Sequence, residues 1–74
     1  MEKRSLSIAG HRTSLALEPE FWSALEAIAA VRHLPLAALI REIDERRDNP
    51  NLSSAIRIAI LAWYRDVATG ERPR

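Results

Sequence analysis

Four consecutive residues near the N-terminus carry side chains suited to polar recognition. His11, Arg12, Thr13 and Ser14 supply an imidazole, a guanidinium and two hydroxyls. Successive side chains of a strand point to opposite faces, so Arg12 and Ser14 share one face and His11 and Thr13 the other. A guanidinium beside a hydroxyl can bond to a guanine edge or hold a small carboxylate. The pattern leaves two chemistries open, which are base recognition and binding of an anion such as an amino acid.

Catalysis is not expected from this chain. Neither histidine, His11 or His33, has a carboxylate at a metal-ligand spacing, and the sequence contains no cysteine, Gly-rich phosphate loop or nucleophile motif. We therefore expect no enzyme activity, no metal and no cofactor. His33 is expected to be a turn or capping residue.

The elements that position these side chains are one strand and three helices. Alternation of apolar and polar residues predicts a strand over residues 11–17. A proline start predicts a first helix over residues 19–32, and apolar spacing resumes for a second over residues 35–47. Ser53 is expected to cap a third helix over residues 53–68. Residues 1–10 are predicted to form a basic arm, although the alternation of Leu6 and Ile8 leaves a strand extension open. Residues 69–74 are predicted to form a frayed tail.

A chain of 74 residues makes one domain, residues 1–74, and a domain of this size buries only about 60% of its unfolded surface. With no disulfide to add stability, and with a single strand whose edges need a partner, we expect a homodimer. The apolar residues at strand and helix spacing form the predicted dimer core: Leu15, Leu17, Phe21, Trp22, Leu25, Ile28, Leu39, Ile40, Ile43, Ile56, Ile60 and Trp63.

Charge is unevenly distributed along the chain. The net charge is +1, but residues 1–12 and 51–74 are basic whereas residues 13–50 are acidic. Any contact with nucleic acid must therefore depend on where the charges lie. No apolar run reaches the roughly 18 residues of a membrane span, so we expect a cytoplasmic protein without a membrane partner.

The motifs resemble those of a known family. IAGHRTS at residues 8–14, LEPEFW at residues 17–22, LIREID at residues 39–44 and NLSSAIR at residues 51–57 are together similar to a small bacterial subfamily of ribbon-helix-helix proteins. The resemblance implies a mainly α fold with one short strand per chain, in the order β-α-α plus a third helix. It also implies an intertwined homodimer whose strands pair into an intermolecular antiparallel ribbon.

The resemblance further implies a dimeric DNA-binding transcriptional regulator. In such proteins the outward side chains of the ribbon, here Arg12, Ser14 and Ala16, enter the major groove. Backbone N–H groups at the start of the second helix, here Leu36 and Ala37, grip a phosphate.

Two interpretations of the remaining residues stay open. Lys3 and Arg4 of the arm either add phosphate contacts or simply form a charged, solvated N-terminus. The alternative function is a ribbon-helix-helix module, a possible ligand sensor, that binds a small anionic ligand or a protein partner and does not read DNA. Its candidate residues are His11, Arg12, Thr13 and Ser14.

Overall fold

The computed structural model describes residues 1–70, in which a two-stranded antiparallel ribbon is followed by three helices. The elements are β1 (Glu2–Ile8), β2 (His11–Leu17), α1 (Pro19–Val31), α2 (Leu36–Arg46) and α3 (Leu52–Thr69). The predicted order of ribbon, helix, helix and third helix is confirmed, and the helix bounds agree with the prediction to within one residue at each end. The tail expected at residues 69–74 lies mostly outside the described residues.

The ribbon is a hairpin within one chain. β1 pairs with β2 from Ile8 opposite His11 to Glu2 opposite Leu17. Ala9 and Gly10 form the two-residue loop, with φ angles of 52° and 83°. A type I′ hairpin turn requires positive φ at both of these positions, which glycine adopts readily and alanine does not.

The basic arm predicted for residues 1–10 is therefore wrong, and so is the expectation of one strand per chain. Residues 2–8 are the second strand of the ribbon, and the partner of β2 comes from its own chain. Leu6 and Ile8 continue an inward-facing row through Arg4 and Glu2, which are half-buried on the helix side of the hairpin. Alternation of apolar and polar residues does not reveal this row in the sequence, because two of its four residues are charged.

Each helix has a local reason for its ends. Pro19 occupies the first turn of α1, where its missing N–H costs nothing. The helix ends with His33 in the left-handed region at φ 56°, and the N–H of Leu34 donates to the carbonyl oxygen of Ala29 at 2.9 Å. His33 is therefore a turn residue directly after the C-terminal end of α1, as the sequence predicts. α3 is capped by Asn51 rather than Ser53, because the Asn51 side chain accepts from the N–H of Ser54 at 3.0 Å.

The core is formed by residues of a single chain. It lies between the inner face of the hairpin and the three helices, and Leu17, Leu25, Ile40 and Ile56 are fully buried in it. Ten of the twelve residues predicted for a dimer core are buried here, while Phe21 and Ile43 are partly buried against them. These residues therefore pack on one another within one chain.

Within residues 1–70, no single helix has the length and hydropathy to cross a membrane, although α1 and α2 pass that test together as a pair bent by 100°.

Candidate nucleic-acid interface

The face of the hairpin that points away from the helices is polar. Residues directly opposite each other in an antiparallel pair share a face, and the register places Lys3 opposite Ala16, Ser5 opposite Ser14, and Ser7 opposite Arg12. Five of these six residues are exposed and Ala16 is half-buried. We call this surface the outer ribbon face: Lys3, Ser5, Ser7, Arg12, Ser14 and Ala16.

The outer ribbon face brings together four residues singled out in the sequence. Arg12, Ser14 and Ala16 lie on it as the alternation predicts, and Lys3 joins them through β1. Ser5 and Ser7 were missed because residues 1–10 were taken as an arm. The alternation of Lys3, Ser5 and Ser7 with the inward row is the signal that identifies them once β1 is recognised as a strand.

The charge on this face is entirely positive. Lys3 and Arg12 lie on diagonally opposite corners, about 13 Å apart along the strand direction by strand rise. No ion pair among residues 1–70 involves either side chain, and none of the six residues carries a carboxylate. Three serine hydroxyls between them each donate and accept hydrogen bonds. The face thus combines two available cations with uncharged hydrogen-bonding groups.

Arg4 does not belong to this face. Its guanidinium lies over the Trp22 ring, 4.4 Å from the centroid, and pairs with Glu26 at 3.1 Å and with Glu2. The hydrogen bonds that Arg4 donates to Glu2 and then to Glu26 raise the pKa of Arg4. The phosphate contact expected of Arg4 would require these bonds to break, so the structure separates Arg4 from Lys3.

Contacts from the helices fix the hairpin at both strands. The indole Nε1 of Trp22 on α1 donates to the carbonyl oxygen of Glu2 at 2.8 Å. The hydroxyl of Ser53 on α3 donates to the carbonyl oxygen of Ala16 at 3.4 Å. Trp22 is only 1% exposed, so its bond is well protected from water. The helices on the inner side of the hairpin therefore fix the backbone that carries the outer ribbon face.

An ion pair ties the junction of β2 and α1 to α3. Arg57 donates from Nη2 and Nε to Glu18 Oε1 at 2.8 and 3.1 Å, and its guanidinium lies 5.6 Å from the Phe21 ring centroid. The hydrogen bond from Arg57, followed by one from the backbone, lowers the pKa of Glu18 below its usual value. This pair therefore links the residue between β2 and α1 to α3.

The other predicted site residues lie elsewhere. Leu36 and Ala37 begin α2, so their N–H groups have no acceptor within the helix, and no side chain caps that end. His11 and Thr13 lie on the opposite face of β2 from Arg12 and Ser14, so the four residues proposed for an anion do not converge on one pocket. Among residues 1–70, no three histidine or acidic side chains cluster as metal ligands.

Comparison with known proteins agrees with this architecture. The family model described as the ribbon-helix-helix domain matches residues 1–64. Searches of the curated proteins and of the solved structures find no match to this chain. Because the family model covers both strands, the first two helices and most of α3, the chain belongs to the ribbon-helix-helix domain family.

Proposed function

We propose that this protein is a DNA-binding transcriptional regulator that inserts its outer ribbon face into the major groove. Ribbon-helix-helix domains are generally found in DNA-binding regulators and typically dimerise. The single observation that carries the proposal is the outer ribbon face itself, which presents Lys3, Arg12 and three serines without a carboxylate. A regulator of this kind acts on the chromosome, which places it in the cytoplasm of a bacterial cell.

The dimensions of the hairpin suit the major groove. Paired strands lie about 4.8 Å apart. The groove of B-DNA is about 12 Å wide and admits a two-stranded ribbon with its side chains. Both strands come from one chain, so each copy carries a complete ribbon and can enter a groove by itself.

Each residue of the face has a distinct role in this proposal. Arg12 forms paired hydrogen bonds with O6 and N7 of a guanine, and the hydroxyls of Ser7 and Ser14 bond to neighbouring base edges. Ala16 contacts a thymine methyl group. Lys3, at the opposite corner, contacts a phosphate and supplies affinity without sequence preference. The free N–H groups of Leu36 and Ala37 are a second candidate for a phosphate contact.

Selection of duplexes from a random pool tests the proposal. Purified wild-type protein is compared with Arg12→Ala and with the control Arg41→Ala, which removes an exposed arginine of α2 that pairs with Glu45. We expect wild type and Arg41→Ala to enrich the same guanine-containing motif and Arg12→Ala to lose it. No enrichment by folded wild-type protein near physiological salt would contradict base recognition.

The same protein variants also test the alternative function, which is binding of a small anion. Arg12 and Ser14 lie on the outer ribbon face, whereas His11 and Thr13 lie on the opposite face of β2, so a carboxylate on the outer ribbon face would be held by Arg12 and Ser14. If DNA is not selected and amino-acid or carboxylate ligands raise the melting temperature of wild type but not of Arg12→Ala, the ribbon binds an anion instead.

A further inference from the structure

The two strands of the hairpin carry similar sequences. β1 reads EKRSLSI and β2 reads HRTSLAL, and the two align from end to end. Ser5 and Leu6 have identical counterparts in Ser14 and Leu15. Three further pairs are chemically alike, namely Lys3 with Arg12, Ser7 with Ala16, and Ile8 with Leu17. The hairpin therefore consists of a short internal repeat.

Antiparallel pairing relates the two halves of this repeat by an approximate two-fold axis. The axis is perpendicular to the ribbon and passes between Ser5 and Ser14, which lie directly opposite each other. Rotation about this axis exchanges Lys3 with Arg12, so the two cations occupy equivalent corners of the outer ribbon face. A single chain thus has the approximate symmetry that a pair of identical antiparallel strands would have.

This symmetry matches that of a short DNA site. The two halves of a palindromic site are related by a two-fold axis, and a protein surface with the same symmetry contacts both halves alike. Lys3 and Arg12 are about 13 Å apart along the strand direction, which spans about four base pairs at most, at about 3.4 Å per base pair. One chain can therefore place an equivalent side chain in each half of a short site within one groove.

We propose that one chain reads both halves of a short, asymmetric DNA site in a single major groove, which rests on the function proposed above and adds the kind of site that is recognised. The symmetry is only approximate, because the equivalent corners carry different cations. The fork of Arg12 matches O6 and N7 of a guanine, whereas the ammonium of Lys3 is a compact charge that suits a phosphate. The site therefore has a guanine in the half that faces Arg12 and no base requirement at the equivalent position of the other half.

The symmetry of the recognised site distinguishes a ribbon made by one chain from a ribbon made by two. A ribbon that took β2 from each of two copies would be truly two-fold, so it would carry Arg12 at both corners and select guanine in both halves. The inner side of the hairpin opposes that arrangement, because Trp22 donates to the carbonyl oxygen of Glu2 and Arg4 lies over the same indole ring. These contacts hold β1 against α1 of its own chain, where it pairs with β2.

Selection from duplexes with a random segment of about ten base pairs, which is one turn of DNA, tests the symmetry of the site. Wild type is compared with Lys3→Arg and with the control Arg41→Lys, which also exchanges one cation for another but lies on α2. We expect wild type and Arg41→Lys to enrich the same asymmetric motif. Lys3→Arg should gain a guanine on the opposite strand at the symmetry-related position, so that its motif reads alike on both strands.

Replacement of the selected guanine by 7-deazaguanine gives a second readout. This analogue lacks the N7 acceptor and keeps O6. Wild type should bind the substituted duplex on the order of 10-fold more weakly than the selected one, whereas Arg12→Ala should bind the two duplexes equally. Circular dichroism checks that each variant keeps the helical content of wild type. Equal binding of the two duplexes by wild type would contradict the guanine contact of Arg12.

Two results of the selection would overturn this inference and leave DNA recognition in place. A wild-type motif with guanine in both halves of one groove would show that two copies make the ribbon. A motif that Lys3→Arg leaves unchanged would show that the two corners are not equivalent on DNA. No motif at all from folded wild-type protein would instead contradict the proposed function, and this inference with it.

Discussion

The indole Nε1 of Trp22 donates a 2.8 Å hydrogen bond to the carbonyl oxygen of Glu2, which joins the first residue of β1 to the first turn of α1. The same ring lies under the guanidinium of Arg4 at 4.4 Å. One buried side chain therefore holds the N-terminal strand by a backbone contact and a side-chain contact. This explains why residues 2–8 form a strand although their sequence is largely polar.

Replacement of Trp22 by phenylalanine should release β1 more than it unfolds the helices. The variant loses the bond to Glu2 and part of the volume of a side chain that is 1% exposed, so we expect the free energy of unfolding to fall by about 2 to 3 kcal/mol. Hydrogen exchange should accelerate first at the amides of β1. Trp63→Phe, at a 9% exposed core position on α3, is the control, and equal acceleration at β1 in both variants would argue against a specific link.

Substitutions at the two residues of the hairpin loop should change the stability of the protein in opposite directions. Gly10 has φ 83° and a Cβ there would meet no atom within 4 Å, so Gly10→Ala should lose about 1 to 2 kcal/mol through backbone conformation alone. Ala9 has φ 52°, and Ala9→Asn should gain about 0.5 to 1 kcal/mol because asparagine tolerates the left-handed region better. Urea denaturation measures both. A loss of stability in both variants would contradict the loop geometry.

The sequence predicts the three helices well but does not predict the first strand. Pro19 and the break before Leu36 marked helix starts because they change backbone chemistry directly. β1 was missed because its loop has alanine where asparagine or glycine normally signals a hairpin. Its inward row also includes Arg4, which becomes partly buried only when the distant Trp22 ring packs against it.

Half of the candidate site followed from alternation alone. Arg12, Ser14 and Ala16 were placed on the outward face of β2 because one strand's period fixes its two faces. Ser5 and Ser7 required knowledge of the register with β1, which depends on the loop. The apolar pattern likewise identified which residues are buried, but a pattern in one chain does not distinguish packing within that chain from packing between copies.

The pair of Glu18 and Arg57 gives a prediction for acidic pH. The hydrogen bond from Arg57 lowers the pKa of Glu18 in the folded protein below its usual value of 4.5. The pair therefore stabilises the fold above that usual value, and its contribution is lost as the pH falls through the lowered pKa. Arg57→Met should be less stable than wild type at neutral pH, and the difference should shrink on acidification.

Urea unfolding of wild type and Arg57→Met between pH 7 and strongly acidic pH measures this, and an NMR titration follows Glu18 itself. The pKa of Glu18 should rise toward its usual value in the variant, since the largest cause of the shift has been removed. A difference in stability that stays constant with pH would mean that Arg57 acts only through its packing on Phe21.

The salt dependence of DNA binding should count the phosphate contacts of the outer ribbon face. Lys3 contacts a phosphate whereas Arg12 contacts a base, so two copies bring two such contacts and a plot of log affinity against log salt should have a slope of about −2. Lys3→Ala should bring this slope close to zero, while Arg12→Ala and Arg41→Ala leave it nearly unchanged. A slope that does not respond to Lys3→Ala would place the phosphate contacts elsewhere.

Chemical-shift mapping identifies which surface of the protein meets DNA, and we propose that this surface is the outer ribbon face. A duplex is titrated into ¹⁵N-labelled wild-type protein at low salt and the backbone amide shifts are followed. We expect the largest changes at Lys3, Ser5, Ser7, Arg12 and Ser14, with the residues of α3 nearly unchanged. Changes centred on α3, or none at all with a folded protein, would contradict it.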